Sequence, residues 1–331
     1  MTTPLAFIGR KAPRLSSRYG HAASAALSTT TTTSSDLKIA PIAEETILES
    51  SRSEEELALA IRPYYESQTP VVLRGAVKHA PAIQSWMSLD YLLGAVDPDD
   101  SGYVEIGGTY GSADMERPDI PFDQYILYLK LFHERHGAVG PDIDPWINPM
   151  QDNENDAGSQ PSPEELVYMA QNDLFQSLYK DIVIPSFCED ESYGIGNGKL
   201  YSAMLWLGPR GCVSPLHYDP LDNLLMQFVG RKRFTLFAGG SIENNATTSG
   251  NHNKQLSWHY AGSDGQQYNT SPINIENPLE EIHQKYPLFS DGAPPAVYCI
   301  LNPGDCLFIP SKWWHHVRSL DTCASVNVWW R

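Results

Sequence analysis

The chain has 331 residues and a formal net charge of −17, with 40 acidic side chains against 23 basic ones. The length allows a sizeable core; the acidity argues against the basic face that broad nucleic-acid or anionic-membrane binding needs, and it suits cationic partners. No apolar run approaches the roughly 18 residues of a membrane-spanning helix, and the five cysteines, with no C-x-x-C pair, read as reduced thiols.

Residues 1–35 contain no Asp or Glu but carry Arg10, Lys11, Arg14 and Arg18 among Ser, Thr and Ala. That composition is transit-peptide-like, or that of a disordered tail, and sets residues 1–36 outside the fold. The expected address is mitochondrial, with a nuclear or cytoplasmic protein as the alternative. Residues 37–200 read as a helical and short-strand N-terminal part. Glu44–Glu49 is expected to be helical, followed by a helix opening at Ser53-Glu54-Glu55-Glu56 and ended by Pro63. Pro70–Gly75 reads as a buried strand and turn, Ser88–Ala95 as a short helix capped by Ser88, and Tyr103–Gly107 as a strand. Within that strand, Glu105 is flanked by apolar residues; if buried, it would hold a cation. Phe122–Phe132 is an aromatic helix, and 137–163 a Pro-, Gly- and Asp-rich loop. Ser162-Pro163-Glu164-Glu165 has the signature of a helix start, which predicts a helix carrying Tyr168 toward Tyr179.

From 201 to 331, short strand-like runs alternate with turn signals: Ala203–Leu207, Asn223–Val229, Phe234–Phe237, Val297–Leu301, Cys306–Ile309 and Ser325–Trp330. No helical interruption is evident, and the polar stretch from Gly239 to Pro287 separates two groups of strands. The expected fold is mainly β with N-terminal α, a jelly roll with flanking helices.

The chemistry concentrates in Ser214–Phe237. His217 and Asp219 are separated by one residue, so an extended strand turns both to one face. An imidazole nitrogen beside a carboxylate oxygen is two thirds of a facial site for non-haem iron(II). Gly230-Arg231 reads as a tight turn, and Lys232 after it brings a cation toward the same cavity. A third ligand is offered by His315 or His316. Neighbouring strand residues point to opposite faces, so one of the two ligates, and spacing does not say which.

Together, H-Y-D, G-R-K and N-P-G-D-x-L-F-I-P-x-x-W-W-H resemble the Jumonji-C (JmjC) branch of the iron(II)- and 2-oxoglutarate-dependent oxygenases, a cupin superfamily with a double-stranded β-helix. The likeness covers roughly residues 60–331. It is closest to the JmjC arginyl hydroxylase subgroup, which is also described as lysine demethylase and peptidase. The resemblance implies Fe(II) held by His217, Asp219 and His315, with dioxygen as the oxidant and 2-oxoglutarate as cosubstrate. It matches Lys232 to the residue meeting the far carboxylate of 2-oxoglutarate, and Tyr168, Asn223, Ser214 and Trp329 to residues lining the cosubstrate. Glu105, Tyr110 and Trp206 match positions that hold the target side chain. His316 is left to packing or to support of the metal site. The implied partner is a protein or peptide with a basic target residue, arginyl first and lysyl second. Rival expectations are N-methyl-lysine demethylation, a tRNA-base hydroxylase, and a catalytically silent cupin that only binds.

Overall fold

The computed structural model describes residues 39–47, 53–107, 117–140, 161–239, 257–262 and 267–331. The transit-peptide-like segment, Tyr110 and most of the 137–163 loop lie outside the described residues. The first half contains β1 (Ile39–Pro41), β2 (Ala43–Thr46), α1 (Glu54–Ser67), β3 (Val71–Arg74), α2 (Ala82–Ser85), α3 (Leu89–Ala95), β4 (Ser101–Tyr103), β5 (Glu105–Ile106), β6 (Asp119–Pro121), α4 (Phe122–His136) and β7 (Val167–Asp173). The second contains β8 (Leu200–Gly208), β9 (Val213–Tyr218), β10 (Asp222–Val229), β11 (Lys232–Phe237), α5 (Leu279–Lys285), α6 (Pro287–Gly292), β12 (Ala296–Leu301), β13 (Cys306–Ile309), β14 (Trp314–Ser319) and β15 (Cys323–Trp330).

Strands β8 to β15 divide between two sheets, in the orders β12-β11-β14-β9 and β13-β10-β15-β8. Most consecutive strands lie in opposite sheets, the winding of a double-stranded β-helix. β1 extends the smaller sheet, and β2, β3, β7 and β5 extend the larger one to eight strands. The Gly230-Arg231 turn is tight, as expected, but it is not a hairpin: it carries the chain from the larger sheet to the smaller. Gly230 has φ +69°, and a Cβ there would lie 2.3 Å from the Thr322 carbonyl oxygen, so both backbone and space require glycine.

Strand alternation sorts the side chains into layers. In β10, Leu224, Met226 and Phe228 join a core with Ala58 and Ile61 of α1, Trp86, Leu92 of α3 and Tyr125 and Leu129 of α4. Leu225 points the other way, packing with Phe234, Leu236, Leu301, Leu307 and Val317 between the sheets. Each such buried aliphatic side chain contributes roughly 1.5–3 kcal/mol by leaving water. β15 follows the same rule: Val326 and Val328 face the helices, while Ser325 and Asn327, also buried, face inward. The inter-sheet space is therefore apolar at one end and polar at the other.

Several local expectations yield to tertiary contacts. Ala43–Thr46 is a strand, not a helix, because it pairs in parallel with β3. Helix α1 runs through Pro63 to Ser67. Proline removes the bond to the carbonyl of Leu59, a residue exposed to solvent, where water can replace it. The start signal at Ser162 does form a capping box, yet only Pro163–Glu165 turn, as 3₁₀. Tyr168 lies instead on strand β7, paired with β8 and β5. Tyr103–Gly107 is broken at Val104 into β4 and β5, and α5 and α6 occupy part of the stretch expected to lack helix. Ser88 caps α3 through its side chain, as expected. All five cysteines are buried and free.

Candidate active site

β14 pairs with β9 so that His315 stands directly opposite His217. Their rings are 4.2 Å apart between centroids. Asp219 follows the end of β9, and one ligand atom from each of the three residues lies within 4.8 Å of the others. His217 Nδ1 is 2.7 Å from the Pro215 carbonyl oxygen, and His315 Nδ1 is 3.0 Å from that of Trp313. A carbonyl only accepts, so each Nδ1 carries the proton and each Nε2 carries the lone pair. Burial, followed by the neighbouring His217, lowers the His315 pKa to about 4, which keeps the ring neutral as a ligand must be.

Asp219 is held by its surroundings. Asn223 Nδ2 donates to Oδ2 at 3.1 Å and Trp329 Nε1 to the same oxygen at 3.2 Å. Both donors orient the carboxylate. With two imidazole lone pairs and a fixed carboxylate converging, the donor set fits a divalent ion of the iron type. His316 points to the other side of β14, where its Nε2 is buried without a hydrogen bond among the described residues. On that side Glu276 is bonded by Arg318 and, at 3.1 Å, by Arg233.

Lys232, on β11 of the smaller sheet, crosses the cavity to the larger one. Its Nζ donates to Ser325 Oγ at 2.7 Å and to Tyr168 Oη at 3.3 Å. Among the described residues no carboxylate pairs with this ammonium, although it is fully buried. Burial lowers its pKa from 10.5 to about 8. A buried cation left without a counterion suits an anionic ligand, so the cavity fits a carboxylate-bearing cosubstrate. Burial raises the Tyr168 hydroxyl well above its ordinary range, with Ser214 nearby opposing the shift. The Trp206 ring stands 5.8 Å from that of Tyr168, and its Nε1 donates to Asn327 at 2.7 Å.

Glu105 sits on β5 directly across from Tyr168. It is 1% exposed, and burial raises its pKa to about 8 against the lowering effect of Arg117. Arg117 Nε lies 3.4 Å from Oε1, an ion-pair distance without hydrogen-bond geometry. The structure thus brings together ten of the sequence-predicted site residues around one inter-sheet space, and Tyr110 lies outside the described residues. The sequence reading missed Ser325, Asn327 and Arg117. The first two were accessible from the alternation Ser325-Val326-Asn327-Val328, which turns polar groups inward; nothing local marks Arg117.

A double-stranded β-helix with a His/Asp/His cluster and a buried lysine between its sheets defines a cupin-type metal-centre protein. The cupin-like domain family matches residues 57–331, and the chain belongs to that family, in its JmjC oxygenase branch. It is 33% identical over 275 residues to Lysine-specific demethylase JMJ30 of Arabidopsis thaliana, covering 82% of this chain and 52% of that one. It is 38% identical over 271 residues to Lysine-specific demethylase 8 of Danio rerio (81% and 54%). It is 27% identical over 273 residues to human tRNA wybutosine-synthesizing protein 5 (81% and 72%). The chain spans about half the length of the first two relatives.

Proposed function

We propose that this chain is an Fe(II)- and 2-oxoglutarate-dependent dioxygenase that hydroxylates a protein side chain, arginyl first and lysyl second. The observation that carries the reading is the pairing of a converging His217/Asp219/His315 set with a buried Lys232 ammonium that meets no carboxylate among the described residues. When bound, the iron supplies coupled oxidation: dioxygen and 2-oxoglutarate become succinate and carbon dioxide, and one oxygen atom is inserted into a C–H bond of the substrate. The protein's own groups bind and orient. His217, Asp219 and His315 would hold the ion, with the Pro215 and Trp313 carbonyls and the Asn223 and Trp329 donors fixing the ligands. Lys232 binds the remote carboxylate of the cosubstrate, steadied by Ser325 and Tyr168, and Ser214 lines the cosubstrate beside them. Trp206 forms a wall, and Glu105 receives the cationic side chain, a buried acid facing a guanidinium.

The test is succinate release on adding Fe(II) and 2-oxoglutarate, with Asp219→Ala as the matched blank. Release no greater than that of the blank would leave only a silent binding module. The names of the demethylase relatives favour a second reading, oxidation of an N-methyl group on lysine. Mass spectrometry of treated peptides separates the two, since hydroxylation adds one oxygen whereas demethylation removes a methyl and releases formaldehyde. A tRNA substrate, prompted by the human relative, is disfavoured by the charge of −17. Mitochondrial import is inferred from the composition of residues 1–35, and imaging a C-terminally tagged chain in cells checks it.

A further inference from the structure

Glu105 and Arg117 form an asymmetric pair. The carboxyl group of Glu105 has already been taken out of water, at 1% exposure, and neither of its oxygens has a hydrogen bond among the described residues. Its guanidinium partner is 41% exposed and approaches Oε1 through Nε at 3.4 Å, without forming the two parallel bonds an arginine can offer. A pair serving only the fold would be expected to satisfy the buried member fully, because an unbonded buried acid is costly. Direct neighbours in an antiparallel pair share a face, so Glu105 lies on the same wall as Tyr168, whose hydroxyl meets Lys232. The acid therefore belongs to the cavity.

The backbone beside Arg117 is tied down. Val104 N donates to the Pro118 carbonyl at 3.0 Å, and Asp119 pairs with Tyr103 between β4 and β6. Arg117 can leave Glu105 by side-chain rotation alone, moving into the water it already touches. We infer that Arg117 is an internal occupant of the cation site, a stand-in that holds the acid of Glu105 until the cationic side chain of a substrate displaces it. This rests on the reading of the cavity as the place where such a side chain is oxidised. A guanidinium entering from a substrate would make the two hydrogen bonds that Arg117 does not, and Arg117 would exchange an unbonded approach for solvent. Affinity for substrate is thereby set by a competition inside the chain.

The probe is Nα-acetyl-arginine methylamide, with the citrulline analogue as its uncharged counterpart. Binding is measured by calorimetry on the full chain, under argon with Fe(II) and 2-oxoglutarate, so that no turnover intervenes. Arg117→Gln is expected to bind the arginine probe about fivefold more tightly than the unmodified chain, the equivalent of about 1 kcal/mol. Arg117→Lys, which keeps a cation, is expected to stay near the unmodified value. Neither substitution should change binding of the citrulline analogue, and Glu105→Gln should remove the preference for arginine in every background. Equal, weaker or undetectable binding of the arginine probe by Arg117→Gln would overturn the inference and make Arg117 a fixed part of the receptor or irrelevant to it. A circular dichroism spectrum matching the unmodified chain shows that each variant is folded. Succinate release reports separately on the oxygenase reading: tighter binding without any release would sink that reading and leave the competition standing.

Discussion

Replacing Lys232 by methionine exchanges a buried ammonium for an apolar chain of similar reach in the middle of the cavity. The drop from 10.5 to about 8 that burial imposes on Lys232 means that its charged form is disfavoured in the folded protein by roughly 3 kcal/mol near neutral pH. Methionine removes that penalty but deprives Ser325 Oγ of the donor at 2.7 Å, a loss of about 1 kcal/mol. Without ligands, Lys232→Met is therefore expected to be more stable than the unmodified chain by about 2 kcal/mol at pH 7. The sign of the pH dependence follows from the depressed folded value. Between about 8 and 10.5 the unfolded chain binds more protons than the folded one, so the unmodified protein gains stability as pH rises through that window. The variant lacks this gain, and the difference between the two cancels every other titrating group. Urea denaturation at pH 7 and pH 10 measures it. Adding 2-oxoglutarate should reverse the order at pH 7, because a ligand at a hundred times its dissociation constant contributes about 2.7 kcal/mol to the protein that binds it. A variant less stable than the unmodified chain at pH 7 without ligand, or a difference flat from pH 8 to 10.5, would refute an uncompensated ammonium.

Asp219→Ala should weaken Co(II) binding, followed through visible absorption, by more than about 100-fold, since loss of supporting groups alone costs 10–100-fold in comparable sites; unchanged affinity would remove Asp219 from the ligand set. Glu276→Gln leaves Arg233 and Arg318 without their shared carboxylate and should cost about 3 kcal/mol in urea denaturation. Burial opposes the charge of Glu276, yet the hydrogen bonds from Arg318 and the surrounding positive groups outweigh it and hold the carboxyl at about 2. The stability it contributes is complete above 4.5 and is lost as pH falls from 4.5 toward 2, so the effect of the substitution should shrink across that window. For Glu105 the sign is opposite: burial raises the folded value from 4.5 to about 8, and stability falls as pH rises between the two. Glu105→Gln should flatten that slope, and an unaltered profile from pH 5 to pH 8 would show that the carboxyl is not desolvated.

Much of this was readable from residue order. A period of two in Leu224–Phe228 and Ser325–Val328 sorts these buried side chains between the helix-facing and the inter-sheet side, because a strand turns alternate residues to opposite faces. The H-x-D triplet and the cation after the Gly230 turn are likewise written in the chain, and so is the Ser88 cap. Tertiary structure decided the cases in which local signals compete with pairing. The start signal at Ser162 promised a helix through Tyr168, but Val167–Asp173 gains strand partners on both edges, which outweigh a few tenths of a kcal/mol of helix preference per residue.

The choice between His315 and His316 has the same origin. Both are imidazoles on one strand that spacing leaves equivalent; the resemblance points to His315, and the register that sets it opposite His217 supplies the physical reason. Sequence determined the chemical groups and their alternation, since those depend on bonds along the chain. Their meeting around one space, Lys232 reaching Ser325 and Arg117 reaching Glu105, depends on contacts between residues far apart in sequence. Only the packing of two sheets creates those contacts.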